Sequence, residues 1–133
     1  MEEQIKAYLE ACGVTYRMLL IGEITKDEWQ CDKWNVVLFK GSYSVMFDYY
    51  TGLGHRKNLQ PVKPEIAGVI CSLVLDSQAL DQSFDDWCDD LGFNSDSRKA
   101  HNTYEACREN HYKFAEIFSK DERAHMDKLL EEY

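Results

Sequence analysis

Two runs of alternating residues joined by Gly41-Ser42 constrain the fold more than any other feature. Trp34, Val36 and Leu38 alternate with Asn35, Val37 and Phe39; past the glycine, Tyr43, Val45, Phe47 and Tyr49 alternate with Ser44, Met46, Asp48 and Tyr50. Successive side chains of a strand point to opposite faces, so a period of two reads as strand. A two-residue link with glycine first suits the type II′ turn, whose twist matches that of paired strands. Residues 34–50 are therefore a β-hairpin. Val14–Ile21 is a third run, with Tyr16, Met18 and Leu20 on one side and Thr15, Arg17, Leu19 and Ile21 on the other. Both sides are largely apolar, which predicts a central strand or one covered on both faces. The three runs make an antiparallel meander.

The remainder is helical. Ile5, Tyr8, Leu9 and Cys12 share one face of a helix over 2–12, which Gly13 ends. Gly22–Lys33 reads as a polar connection, in which Thr25 and Glu28 fit a capping box. Residues 51–63 form a long loop, glycine-rich at its start and basic at His55, Arg56 and Lys57. Pro64 is placed to open a helix at its first position, and Ile66, Val69, Ile70, Leu73 and Val74 give that helix a broad apolar face. Ser83 caps the next helix; Leu80, Phe84, Trp87, Cys88 and Leu91 line one side and Gly92 stops it. Asp96 or Ser95 caps a long helix over about 97–118, with Ala100, Tyr104, Cys107, His111, Phe114 and Phe118 as its packing stripe. Ser119 with Glu122 is a second capping box, starting a last helix that packs back through Met126, Leu129, Leu130 and Tyr133.

The expected fold is thus α+β in a single domain over 1–133. An N-terminal helix and three-stranded antiparallel β-meander occupy 1–50, a loop 51–63, and a helical part of three to four helices 64–133. Ile66, Ile70, Leu73, Phe84, Trp87, Tyr104 and Phe114 are the expected core, packed against the sheet. Apolar residues at 44% and aromatics at 13% supply enough for one and exclude disorder by composition. No apolar run approaches the length of a membrane span, and Met1-Glu2-Glu3 lacks the basic start of a secretory signal. Five scattered cysteines without a CxxC pair read as reduced thiols of a cytoplasmic protein.

Charge is one-sided. Between Lys63 and Arg98 there is no Lys or Arg, while Glu65, Asp76, Asp81, Asp85, Asp86, Asp89, Asp90 and Asp96 all fall there. These eight acids nearly account for the chain's net charge of −9. Such a chain disfavours nucleic acid or an anionic membrane as partner and favours a basic protein surface. Asp85, Asp86, Asp89 and Asp90 lie opposite the apolar side of their helix. At i and i+4 they repel one another, which is not what a helix gains stability from.

Other chemistry finds less support. The aspartates have helical spacing and lack the mid-loop glycine and terminal Glu of a calcium loop. His101, His111 and His125 sit on expected helices without HxxxH spacing, and His111 falls on the packing stripe, where a hydrogen-bonded core histidine is expected. Cys107 and His111, at i and i+4, would need two further metal ligands. No nucleophile elbow is present, and the cysteines lie on apolar faces. The expectation is therefore no catalytic residue, no metal and no cofactor. Trp29, Tyr49 and Tyr50 are candidate aromatic anchors beside the acids. His55, Arg56 and Lys57 form a second contact site, which would suit a nucleic-acid-binding regulator. A small metal-dependent hydrolase or nuclease is the other alternative.

The segments Asp48–Lys57 (DYYTGLGHRK) and Ser83–Ala100 (SFDDWCDDLGFNSDSRKA) resemble a group of small acidic proteins of tailed phages and prophages, a likeness running from about residue 14 to 120. Small acidic phage proteins often act against host defence, the anti-CRISPR and antirestriction proteins among them. The resemblance implies expression in the bacterial cytoplasm and a host-directed role. The expected function is that of a phage anti-CRISPR, mimicking nucleic acid in a Lys/Arg-lined channel of a CRISPR effector or other defence nuclease. Its contacts would be Asp81, Asp85, Asp86, Asp89, Asp90 and Asp96, with Trp29, Tyr49 and Tyr50.

Overall fold

The alternation from Trp34 to Tyr50 folds as its period dictates. In the computed structural model, which describes residues 1–26, 28–52, 56–57 and 60–132 (backbone alone at 56, 57 and 132), the elements run as follows. Helix α1 (Glu2–Ala11) precedes strands β1 (Val14–Lys26), β2 (Trp29–Lys40) and β3 (Tyr43–Gly52). The two-residue strands β4 (Arg56–Lys57) and β5 (Gln60–Pro61) come next. Helices α2 (Ile66–Ala79), α3 (Phe84–Leu91), α4 (Arg98–Ile117) and α5 (Lys120–Leu129) complete the chain with a 3₁₀ turn at Leu130–Glu132. The fold is α+β. The chain divides into two compact units, Met1–Val69 and Ile70–Tyr133, with the division inside α2.

In the first unit the sheet order is β1-β2-β3, all antiparallel. Lys40 pairs with Tyr43 across Gly41, whose φ of +61° is the left-handed conformation a primed turn demands. One face buries Val14 and Met18 of β1, Trp34, Val36 and Leu38 of β2, and Val45 and Phe47 of β3. Trp34 Nε1 donates to Thr51 Oγ1 at 3.1 Å, so the indole is buried without losing its hydrogen bond. Helix α1 packs on β1 and buries Ile5 and Leu9.

Three expectations fail here. β1 is an edge strand rather than a central one, and Leu19 and Ile21 are more than half exposed. The central strand is β2, whose Val37 is buried on the outer face between its neighbours Arg17 and Met46. Gly22–Lys33 is not a connection. β1 continues through a bulge between Leu20 and Gly22 to Lys26, turns back at Glu28 (φ +69°), and pairs Thr25 with Gln30 and Ile24 with Cys31. Thr25 therefore caps no helix. At the far end of this hairpin Glu23, Thr25, Lys26, Trp29 and Gln30 are exposed while the neighbouring Cys31 and Asp32 are both buried, so polarity there does not alternate with period two. Pro64 lies before the helix and not at its first position. α2 starts at Ile66, with the Glu65 carbonyl accepting from Gly68 and Val69. Its first amides are capped from α1: Ile66 N donates to Glu2 Oε2 (3.1 Å) and Ala67 N to Glu2 Oε1 (2.7 Å).

In the second unit an aromatic cluster joins α3 to α4. Trp87 stacks on Phe93 with centroids 5.1 Å apart, and Tyr104 meets both Trp87 and Phe84 edge-on. Trp87, Cys88 and Ala100 are buried at its centre. Leu91, expected on this side, is 58% exposed. The cover given by Ala100 and Tyr104 lies over Trp87 and Cys88, and the helix ends directly after Leu91 at Gly92 (φ +75°). α4 is capped by Ser97, whose Oγ accepts from Ala100 N, rather than by Ser95 or Asp96. Phe114, Ile117 and Phe118 are buried along it. The Ser119–Glu122 capping box forms as expected, and α5 buries Met126.

Candidate functional site

Helix α3 is short, and its two sides are sharply different. Ser83 Oγ accepts from Asp86 N at 3.2 Å and fixes the start. Gly92 and the bond from Phe93 N to Cys88 O (2.9 Å) fix the end. With Trp87 and Cys88 turned inward, Asp85, Asp86, Asp89 and Asp90 are left exposed. Among the described residues, ion pairs such as Lys6–Glu3, Lys33–Asp48, Arg108–Glu105 and Lys113–Glu109 form elsewhere, and none involves the α3 carboxylates. Asp85 and Asp86 stand at the positive end of the helix dipole, but Asp89 and Asp90 stand at the negative end. The field is felt underneath: burial raises the Cys88 thiol above its ordinary range, and Asp85 and Asp89 raise it further.

The other expected contacts disperse. Asp96 is exposed at the entry to α4, where its N–H donates to Asn94 Oδ1 at 3.0 Å. Asp81 faces His111 instead of standing with the α3 carboxylates. Trp29, in the first unit, is 77% exposed where β2 begins, opposite Lys26. Tyr49 and Tyr50 are half-buried and point to opposite sheet faces; the Lys26 ammonium lies 4.3 Å from the Tyr50 ring centroid. His55 and the side chains of Arg56 and Lys57 lie outside the described residues. The backbone of Arg56–Lys57 pairs with Gln60–Pro61, within the stretch expected to be loop.

A second feature was hidden from the sequence. His111 does not close into a core but lines an open cleft with Ser77, Gln78, Asp81, Arg123 and Asp127, floored by Val74 and Phe114. Ser77 Oγ lies 2.8 Å from His111 Nδ1, and Gln78 Nε2 donates to Asp127 Oδ1 at 3.0 Å. Burial lowers the His111 pKa, and the Arg123 guanidinium lowers it further against an opposing pull from Asp81. Both effects favour the neutral imidazole. The only trace in the sequence is polar residues on helical faces, Ser77-Gln78 on α2 and Arg123/Asp127 at i and i+4 on α5.

Nearby, Asp76 accepts from Asn110 Nδ2 (3.0 Å) and from the Cys107 thiol (3.6 Å). Burial raises the Asp76 pKa despite both bonds. Burial, the Asp76 charge and that hydrogen bond together push Cys107 up to about 12, so it stays a thiol. Among the described residues, no three His, Cys, Asp or Glu side chains are grouped to hold a metal ion. Among the same residues, no helix is long and apolar enough to cross a membrane. No family model, curated protein or solved structure matches the chain.

Proposed function

We propose that the protein is a non-enzymatic binding module whose α3 carboxylates meet a cationic surface on another protein. The observation that carries this reading is the exposed, ion-pair-free set Asp85, Asp86, Asp89 and Asp90 over a rigid aromatic base. Repelling charges on a helix held in place by Trp87 cannot spread apart, so they are favoured by a partner that neutralises them. Carboxylates at helical spacing imitate a row of backbone phosphates, and a Lys/Arg-lined nucleic-acid channel is the surface that fits them.

The resemblance to small acidic phage proteins directs the proposal to a host defence complex in the bacterial cytoplasm, and to a CRISPR effector in particular. Inhibition would be steric and electrostatic competition with guide or target binding. The decisive experiment is co-purification with candidate effectors, followed by a target-DNA competition assay. Wild-type protein is expected to displace nucleic acid more weakly as salt rises. The variant with Lys at 85, 86, 89 and 90 is expected to lose binding while keeping its melting curve. Full inhibition by that variant overturns the acidic-face mechanism.

A further inference from the structure

The cleft in the second unit holds one guanidinium and two carboxylates that do not close on one another. Among the described residues, neither Asp81 nor Asp127 forms an ion pair with Arg123, although Arg123 and Asp127 are one helical turn apart on α5. Each is held or spared in a particular way. Arg123 Nε donates to the Ser119 carbonyl (3.4 Å), which steadies the guanidinium and leaves its terminal nitrogens. Asp127 uses Oδ1 for Gln78 and keeps Oδ2. Asp81 is exposed at the rim. His111, tied to Ser77 through Nδ1, presents Nε2 on a ring that favours its neutral form. Val74 and the exposed Ala124 supply an apolar wall, with the buried Phe114 behind it.

That set selects a ligand by charge. A simple anion meets Arg123 but is repelled by two carboxylates; a simple cation meets the carboxylates but is repelled by Arg123. A molecule carrying both signs satisfies all three. The volume, about 190 Å³, is room for roughly six waters at their liquid share and falls below the usual range for drug-sized ligands. We propose that this cleft binds a small zwitterion of the α-amino-acid class, its carboxylate on Arg123, its ammonium on Asp81 and Asp127, and a short aliphatic side chain against Val74 and Ala124. The site is separate from the α3 face, and its occupancy does not depend on the binding role proposed for that face.

The test is a ¹H–¹⁵N NMR titration of the full chain with L-leucine, 4-methylpentanoate (which lacks the ammonium) and 3-methylbutylamine (which lacks the carboxylate). L-Leucine is expected to give saturable shifts centred on Ser77, Gln78, His111 and Arg123, with each half-molecule at least about tenfold weaker. Arg123→Met and Asp81→Asn are each expected to weaken L-leucine by about tenfold or more. Asp81 is exposed, so Asp81→Asn decides the matter if Arg123→Met does not fold. The proposal is overturned if L-leucine gives no saturable shift up to about 10 mM, if either half-molecule binds as tightly, or if a folded variant binds unchanged.

Discussion

Glu2 and Ala67 are 65 positions apart, and a 2.7 Å hydrogen bond joins the carboxylate of one to the amide of the other. With its second oxygen on Ile66 N, Glu2 does for α2 what a local Ser or Asp does at most helix starts. It also places a negative charge at the positive end of the helix dipole. Glu2→Ala should lower stability by about 1–2 kcal/mol. Glu2→Gln should lose less, because one acceptor oxygen remains. Urea denaturation of both variants checks the order.

The α3 carboxylates should show an end-dependent signature. Asp89→Asn with Asp90→Asn removes repulsion at the negative end of the helix and should raise stability by roughly 0.2–0.5 kcal/mol at low salt. Asp85→Asn with Asp86→Asn relieves the same repulsion but loses a favourable dipole interaction, so its net effect should be smaller or opposite in sign. Both differences should shrink in high salt. Thermal melts at two ionic strengths separate the pairs, and equal effects at both ends would contradict the geometry.

His111 makes stability depend on pH. Its folded-state pKa is lowered, so the unfolded chain binds the extra proton more readily. The stabilisation is complete above about pH 6.5, the ordinary histidine value, and is lost as pH falls through that value towards the lower folded one. The groups facing the ring are Ser77, Asp81 and Arg123. The melting temperature should fall between pH 7.5 and pH 5. His111→Gln should flatten that part of the profile, since Gln keeps a polar contact with Ser77 and cannot charge.

Cys107 should resist alkylation. With its pKa near 12 instead of 9.0, its thiolate fraction at pH 8 is reduced by about a thousandfold. Mass spectrometry after iodoacetamide treatment should find Cys107 unmodified in the native protein and modified in denaturant. Asp76→Asn removes the nearby charge that helps raise the pKa, and should speed native labelling.

Local patterns were readable where burial imposed them. The 34–50 hairpin and the Ser83, Ser119 and Gly92 caps depend on residues within a few positions of one another, and these form as expected. The outer half of the β1–β2 hairpin was not legible, because exposed strand residues such as Glu23, Thr25 and Gln30 have no reason to alternate in polarity. The start of α2 was misplaced because its cap comes from Glu2, a partner no local window contains. The α3 acids were visible as a run, and their side of the helix followed from period alone. The cleft was not, since the pairing of Ser77 with His111 spans 34 residues and exists only once α2 and α4 are packed.

The three tryptophans divide usefully: Trp34 is buried in the first unit, Trp87 is buried in the second, and Trp29 is exposed. Replacing Trp29 by Phe leaves one tryptophan inside each half of the chain, which excitation at its red edge reads apart from tyrosine. Emission from single-tryptophan versions then reports whether the halves melt at one temperature or two, and acrylamide quenching of Trp29 alone registers anything that settles over that hairpin end.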